Sequence, residues 1–519
     1  NAPVVPDTNY LIAAAMASGR FSGWGSLVGA SASLAVAELA RQADAHLLLL
    51  ADDPRHADQL DAELRFFAGA DFPVLHFVEW ETLPWDSFSP HQDIISQRLS
   101  VLSQLPSMQR GVTVVSAPAL LQRLPPVDYV AARSLSLRTG QQLSHDEFTG
   151  SLAAAGYLRV PQVSEHGEFA VRGSLIDVFP MGSAQPVRID FFDDEIESLR
   201  YFSAESQLSG DTMDSIELLP AREVPLDDEA IRAFRSRYRE RFEGQPSRSR
   251  VYRDVSDGIA HGGIEYYLPL FFEHTAGLVD YLPDNCMVIR PDGLDGLLQR
   301  TWAEIEERHE LCSLDPERPV LAPGETFAAI DAVSAQLGRH RNIHYSAQSL
   351  VDAPDVCNLP TRMPPALKIE ARYEDPAGSL MQFLESFDGR VLFTTDSAGR
   401  REQVHELLSG RGLDLVRASG WLDFAAGSHR IGVAIAPLEN GVLLPDARLA
   451  IISEQQLFGD RVRTQRRRRR AERDPEAIIR QLDDLEEGSP VVHAEYGVGR
   501  YIGLITLDVG GIEGEFLHL

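Results

Sequence analysis

The chain has 519 residues, too many for one hydrophobic core, so several domains are expected. Its 44% hydrophobic and 24% charged residues are ordinary for folded globular proteins and exclude a chain that is disordered over most of its length. The formal charge of −29, from 48 basic and 77 acidic residues, repels a phosphate backbone on average, so a general nucleic-acid coat is not expected unless a local basic patch supplies it, and protein partners fit better.

In chain order, the first region alternates helix and strand. An Ala-rich stretch from Ser33 to Arg41 is followed by the apolar run Ala45 to Leu50 and later by the β-branched run Gly111 to Val115, the rhythm of a parallel α/β layer. Between them the aromatic, proline-rich segment Trp80 to Pro90 reads as a packed loop leading into a helix from Gln92 to Leu102. From Gln162 to Phe202 short runs alternate with period two: Glu168–Phe179, Val187–Phe192, a turn at Asp193 and Asp194, then Glu195–Phe202, a β-meander in a small domain of its own. Residues 217–355 return to mixed α/β. A further compact unit follows, with strand Arg390–Thr395, helix Ser397–Leu408 and strands around Ile431–Ala436 and Arg448–Ser453. The arginine run Arg466 to Arg470 marks a linker, and after Gly488 the sequence is strand-rich again. The chain opens on Asn1 and stops at Leu519 inside a strand-like segment, which reads as a fragment.

Cys286, Cys312 and Cys357 are widely spaced and form no CxxC pair, so neither a disulfide framework nor a zinc site is expected, and a reducing cytoplasm is the simplest setting. With no apolar run of about 18 residues and no signal peptide, no membrane partner is expected. His340 and His344 share the i, i+4 spacing of a metal pair but no third ligand completes a site, and doublets such as Glu306 and Glu307 have no partner suggesting acid–base chemistry. No cofactor, metal or catalytic residue is expected.

Two stretches carry a family resemblance. Glu168 to Pro180, followed by Arg188 to Glu197, resembles domain 2 of the excision-repair protein UvrB, which in that family binds UvrA. The Trp80–Pro90 loop, Gly263 to Tyr266 and Asp280 to Asp284 look like pieces of the UvrB domain around it. The end, Val491 to Gly503, resembles the opening of a CarD-type RNA-polymerase-interacting domain. That order resembles the N-terminal part of the transcription-repair coupling factor family.

The resemblance implies a multidomain α/β chain: a UvrB-like domain 1a with a degenerate ATP fold over 1–133, an inserted β-rich, UvrA-binding domain 2 over 134–216, domain 1b over 217–355, a small α/β domain over 356–460, an Arg-rich linker over 461–487, and the start of a CarD-like domain over 488–519. It implies an adaptor that brings UvrA to stalled RNA polymerase, touching the polymerase β-subunit, with DNA reached through an ATP-dependent translocase motor of helicase superfamily 2 beyond this chain. The alternative in a different class is a UvrB-type, ATP-dependent damage-verification subunit; a plain CarD-type regulator is a third, which the domain 2 motif opposes.

The ATP question is open to direct reading. A P-loop needs glycines that expose backbone N–H groups, a lysine for the phosphates and a hydroxyl for Mg²⁺. Laid on the UvrB pattern, Ser26 to Ser33 puts Ser31 at the glycine before the lysine and Ala32 at the lysine itself, leaving only the hydroxyl of Ser33. Lys368 is the chain's sole lysine, so no other P-loop exists in it. Where the family places Asp-Glu after an apolar strand, this chain has Arg290 and Pro291.

Alternation along Val187–Phe192 puts Val187, Ile189 and Phe191 on one face and Arg188, Asp190 and Phe192 on the other. An aromatic beside an arginine on a polar face is the composition of an interface anchor. By the resemblance, Arg172, Arg188 and Phe192 fall where the family contacts UvrA. The competing reading is that Phe192 packs under a loop and the arginines pair with Asp190, Asp193 or Glu195. In the terminal module, Leu507 on an edge-like strand is the expected apolar contact with RNA polymerase, with a core position as the alternative. The Arg466–Arg470 run could grip DNA or an acidic partner, or form a solvated helix face.

Overall fold

The computed structural model describes residues 10–11, 22–242, 245–315, 317–369, 376–459, 490–493, 497–500, 502–509 and 512–518. The first strands, β1 (Gly23–Gly25), β2 (His46–Ala51), β3 (Val74–Phe77) and β4 (Gly111–Ser116), are joined by helices α1 (Ser31–Gln42), α2 (Pro54–Ala68) and α3 (Gln92–Gln104). Every residue of β2 and β4 is buried, which explains why they read as unbroken apolar runs: a parallel strand covered on both faces has no polar side. Helix α2 starts where it does because the Asp53 carboxylate accepts from the His56 N–H and Pro54 takes the first position, where its missing N–H is harmless. Its apolar stripe Leu60, Leu64 and Phe67 is buried.

Before this sheet is complete the chain leaves for an inserted domain. Strand β5 (Leu135–Arg138) is followed by β6 (Leu158–Arg159), β7 (Glu168–Arg172), β8 (Leu175–Val178), β9 (Val187–Phe192), β10 (Glu195–Phe202), β11 (Ser209–Met213) and β12 (Ser215–Leu218). Strands β6 to β11 form one six-stranded sheet in consecutive order, in which β7 to β11 are antiparallel, the meander expected, and β6 joins β7 in parallel. The stretch Glu168–Phe179 is divided, however: Gly173, at φ +64, turns the chain so that Arg172 pairs with Leu175 across the hairpin. The entry and exit strands β5 and β12 pair with each other.

The chain then returns through a helical segment and adds β13 (Cys286–Pro291), β14 (Arg341–Tyr345) and β15 (Val356–Asn358) to the first sheet, whose order is β15-β1-β14-β13-β2-β4-β3, parallel throughout. Residues on either side of the insertion therefore build one sheet. Where the insertion rejoins it, Arg98 of α3 and Glu223 pair at 2.5 Å with neither side chain exposed.

A second sheet, ordered β17-β18-β16-β20-β19, comprises β16 (Arg390–Thr395), β17 (Val416–Arg417), β18 (Ile431–Ile435), β19 (Val442–Leu444) and β20 (Leu449–Ser453), with only β19 antiparallel. It shares a hydrophobic core with the first sheet: Trp421 packs edge-on against Phe67, ring centroids 5.4 Å apart. The terminal residues form a separate compact unit with two hairpins, β21 (Pro490–His493) with β22 (Gly497–Arg500), and β23 (Gly503–Val509) with β24 (Ile512–His518). The fold is the mixed α/β multidomain architecture expected, with a β-rich insertion and a β-rich end. No described helix is long and apolar enough to cross a membrane.

Candidate interaction face and candidate nucleotide site

The inserted sheet has two unlike faces, set by the two-residue period of its strands. On one, Ile176, Val178, Val187, Ile189, Phe191 and Leu199 are buried against Phe148 and Leu152 of helix His145–Ala154. The other face is divided. Its inner half is roofed by Val163 and Val160, which pack with Ala170, Phe179 and Phe202 in a small core. Its outer half is open.

Phe192 lies in the open half with 73% of its surface exposed. It ends β9 at a two-residue turn in which Asp193 adopts φ +57, and it pairs with Glu195. No loop covers it. Arg172, also exposed, stands on the same face at the end of β7, and its guanidinium donates to the carbonyl of Pro161, 3.2 Å away. Ion pairing with Asp190, Asp193 or Glu195 is not what holds it.

Arg188 is situated differently. Its Nε and Nη2 donate to the two carboxylate oxygens of Asp177, at 2.7 and 3.0 Å, and Nη1 donates to the Ser209 hydroxyl. The guanidinium lies over the Phe202 ring, 4.9 Å from its centroid. Donating to both oxygens of the Asp177 carboxylate raises the pKa of Arg188 above its ordinary value. The partner is Asp177 of the neighbouring strand, a long-range contact that the local spacing did not indicate. Sequence reasoning also missed Arg200, which sits directly opposite Arg188 on β10 and is exposed. A register shift between Ile196 and Ser198 interrupts the alternation that would have placed it.

At the nucleotide-site position the surviving hydroxyl is already used. Ser33 is buried in α1 and donates to Glu63 Oε2 at 2.6 Å, while Gln59 donates to Oε1 at 2.9 Å. Burial pushes the Glu63 carboxyl up to about 7. Ser31 turns back to donate to the Val28 carbonyl, and Ala32 packs as a partly buried apolar residue. Gly29 has φ +56, and the space a side chain there would need is taken by the carbonyl oxygen of Gly441, from the loop before β19. Arg290, at the metal-motif position, approaches His344 at 3.4 Å and Asp295 at 3.9 Å. Among the described residues, no group of three or more His, Cys, Asp or Glu side chains is placed to hold a metal.

In the terminal unit, Leu507 lies in β23, paired through its backbone with Gly514 of β24. The arginine run Arg466–Arg470 lies outside the described residues.

Residues 135–224 match the family model of the UvrB interaction domain, 383–457 that of the MFD D3 domain, and 485–519 that of the CarD-like/TRCF RID domain. The chain is 42% identical over 496 residues to the transcription-repair-coupling factor of Escherichia coli, 38% over 497 to that of Haemophilus influenzae, and 29% over 530 to that of Myxococcus xanthus. Each match covers 95% of this chain and 43% of the relative, so the chain spans less than half the length of these relatives. With three domain matches in that order and similarity along nearly its whole length, the chain belongs to the transcription-repair-coupling factor family and corresponds to its N-terminal part.

Proposed function

We propose that this chain is a cytoplasmic, non-catalytic adaptor that recruits UvrA to stalled RNA polymerase for transcription-coupled nucleotide excision repair. The observation that carries the reading is the open half-face of the inserted sheet, within the stretch matching the UvrB interaction domain, where Phe192 is exposed at the end of a strand on the same face as the exposed Arg172 and Arg200. A large aromatic held clear of the core on a sheet is pre-organised to fill a partner's pocket, and flanking guanidinia orient the encounter. Arg188 contributes by fixing the strands that present Phe192 and by offering the outer edge of its guanidinium. The CarD-like end supports RNA polymerase, through its β-subunit, as the second partner, with Leu507 as the proposed apolar contact on β23. DNA would be reached by a motor elsewhere in the full-length protein.

The rival reading, a UvrB-type ATPase, needs a phosphate cradle. Ala32 in place of lysine, Ser33 engaged by Glu63 and the Gly441 carbonyl against Gly29 all oppose one.

Titration calorimetry of UvrA into this chain, beside Phe192→Ala and Arg172→Ala variants, tests the adaptor reading. Binding by the parent that is lost in folded variants supports it; binding that survives both places the UvrA surface elsewhere. ATP hydrolysis by the parent, sensitive to Ser33→Ala, would instead favour the ATPase.

A further inference from the structure

The helical segment that leads back from the insertion to the first sheet carries a concentration of positive charge opposite in sign to the chain's net charge. Between residues 230 and 253 there are eight arginines and two carboxylates, in a protein whose net charge is −29. Helix Asp228–Arg241 buries Ala230, Phe234 and Tyr238 and turns Arg232, Arg235 and Arg239 to solvent, positions i, i+3 and i+7 of one face. The next helix, Arg250–Ser256, packs on it through Val251, Tyr252 and Val255 and exposes Arg253, with Arg248 just before it. Tyr252 joins the two: Arg235 Nε donates to its hydroxyl at 3.4 Å, and the Arg239 guanidinium lies 5.6 Å from its ring centroid.

The remaining arginines of the segment are engaged. Arg241 is paired with Glu325 at 2.6 Å, Arg237 donates to the Leu270 carbonyl, and Arg250 stands 3.9 Å from Asp254. Arg232, Arg235, Arg239, Arg248 and Arg253 have no carboxylate within ion-pair distance among the described residues. A cluster of like charges left unneutralised in a chain rich in carboxylates is electrostatically unfavourable by itself, and an anionic partner relieves it.

From this we propose that the Arg232, Arg235 and Arg239 face, extended by Arg248 and Arg253, binds the phosphate backbone of duplex DNA. The groove along the helix is lined by Arg232, Arg235, Ser236, Arg239 and Glu240 and has no apolar anchor, whereas a protein interface is built around an apolar, aromatic-rich centre. Phosphate recognition needs no such centre: guanidinium forks grip phosphate oxygens, and counterion release supplies the affinity. Arg232 and Arg239 are about 10 Å apart along the helix axis at 1.5 Å per residue, a span over which a duplex presents several phosphates at one charge per about 1.7 Å of its length. The contact is independent of sequence, and it is separate from the inserted sheet and from UvrA recruitment.

The test uses the whole chain and a fluorescein-labelled 20-base-pair duplex, with anisotropy titrations at several salt concentrations. The comparison is the parent against Arg232→Ala/Arg235→Ala/Arg239→Ala, with circular dichroism to confirm folding and Arg55→Ala/Arg300→Ala/Arg339→Ala, three exposed arginines elsewhere, as a charge-matched control. Other basic segments contribute equally to parent and variant, so the difference between them is what is read. The triple variant should bind about tenfold or more weakly at low salt. Its log K against log salt slope should be shallower by about 2.7, from about 0.9 per phosphate contact, while the control behaves as the parent. Equal affinity and slope in parent and triple variant overturn the proposal, as does no duplex binding by the parent. A polyglutamate competitor that binds the parent more tightly than duplex, and loses binding in the triple variant, overturns it in favour of an acidic protein partner.

Discussion

Arg98 and Glu223 form an ion pair in which neither side chain reaches solvent, and the pair fastens the returning end of the inserted domain to helix α3. Its remaining valences are filled. Arg98 Nη1 donates to the Val78 carbonyl and to Gln122 Oε1, Trp80 Nε1 donates to Glu223, and the guanidinium lies over the rings of Phe77 and Trp80. Removing one partner strands the other charge in the interior at a cost of about 3–5 kcal/mol. Arg98→Ala and Glu223→Ala should therefore each lower the unfolding temperature markedly in differential scanning fluorimetry. A change of less than a degree in both would show that the network carries little of the stability.

Phe191 and Phe192 are adjacent but play opposite parts. Phe191→Ala removes a ring that is 4% exposed and should cost about 3–5 kcal/mol of stability, while Phe192→Ala should stay within about 0.5 kcal/mol of the parent and lower UvrA affinity more than tenfold. Denaturant melts and calorimetry on the two variants separate the effects.

Arg188→Ala is expected to be ambiguous where Arg172→Ala is not. It leaves Asp177, whose side chain is 2% exposed, without its bidentate partner, so it should destabilise the inserted domain by several kcal/mol whatever it does to binding. The double variant Asp177→Asn/Arg188→Gln, which removes both charges, should recover part of that stability. UvrA binding that returns with stability would assign Arg188 a supporting role; binding that stays low would make it a contact.

Glu63 makes stability depend on pH. Burial raises its carboxyl from 4.5 to about 7, so the folded chain holds this proton more tightly than the unfolded one. The stabilising contribution is complete below about pH 4.5 and is lost as pH rises through about 7. Glu265, also buried and pushed up to about 7, acts in the same direction. Glu63→Gln should flatten, and not abolish, the fall in unfolding temperature between about pH 5 and pH 8. Superimposable pH curves for parent and variant would exclude Glu63 as a titrating group.

Restoring a lysine should not restore ATP binding. Ala32→Lys supplies the missing cation, but the Gly441 carbonyl still stands against Gly29 and Ser33 is still bonded to Glu63. Millimolar Mg-ATP should leave the unfolding temperature of that variant unchanged; a shift of several degrees would show that the cradle can open.

The order of the family's modules was legible in the chain: the UvrB-like meander, the lack of a lysine at position 32 and the CarD-like opening are read from neighbouring residues, and the alternation in Val187–Phe192 placed Phe191 inside and Phe192 outside. These features are local, carried by spacing and side-chain type. What the sequence could not decide is which distant groups meet. That Arg188 chooses Asp177, that Ser33 is spent on Glu63, that Gly441 fills the space beside Gly29, and that Arg98 finds Glu223 across 125 residues all depend on how separate strands and helices pack. A periodic pattern reports which face of an element is buried and is silent about the partner, because the partner is selected by the close packing and polar pairing of elements far apart in the chain.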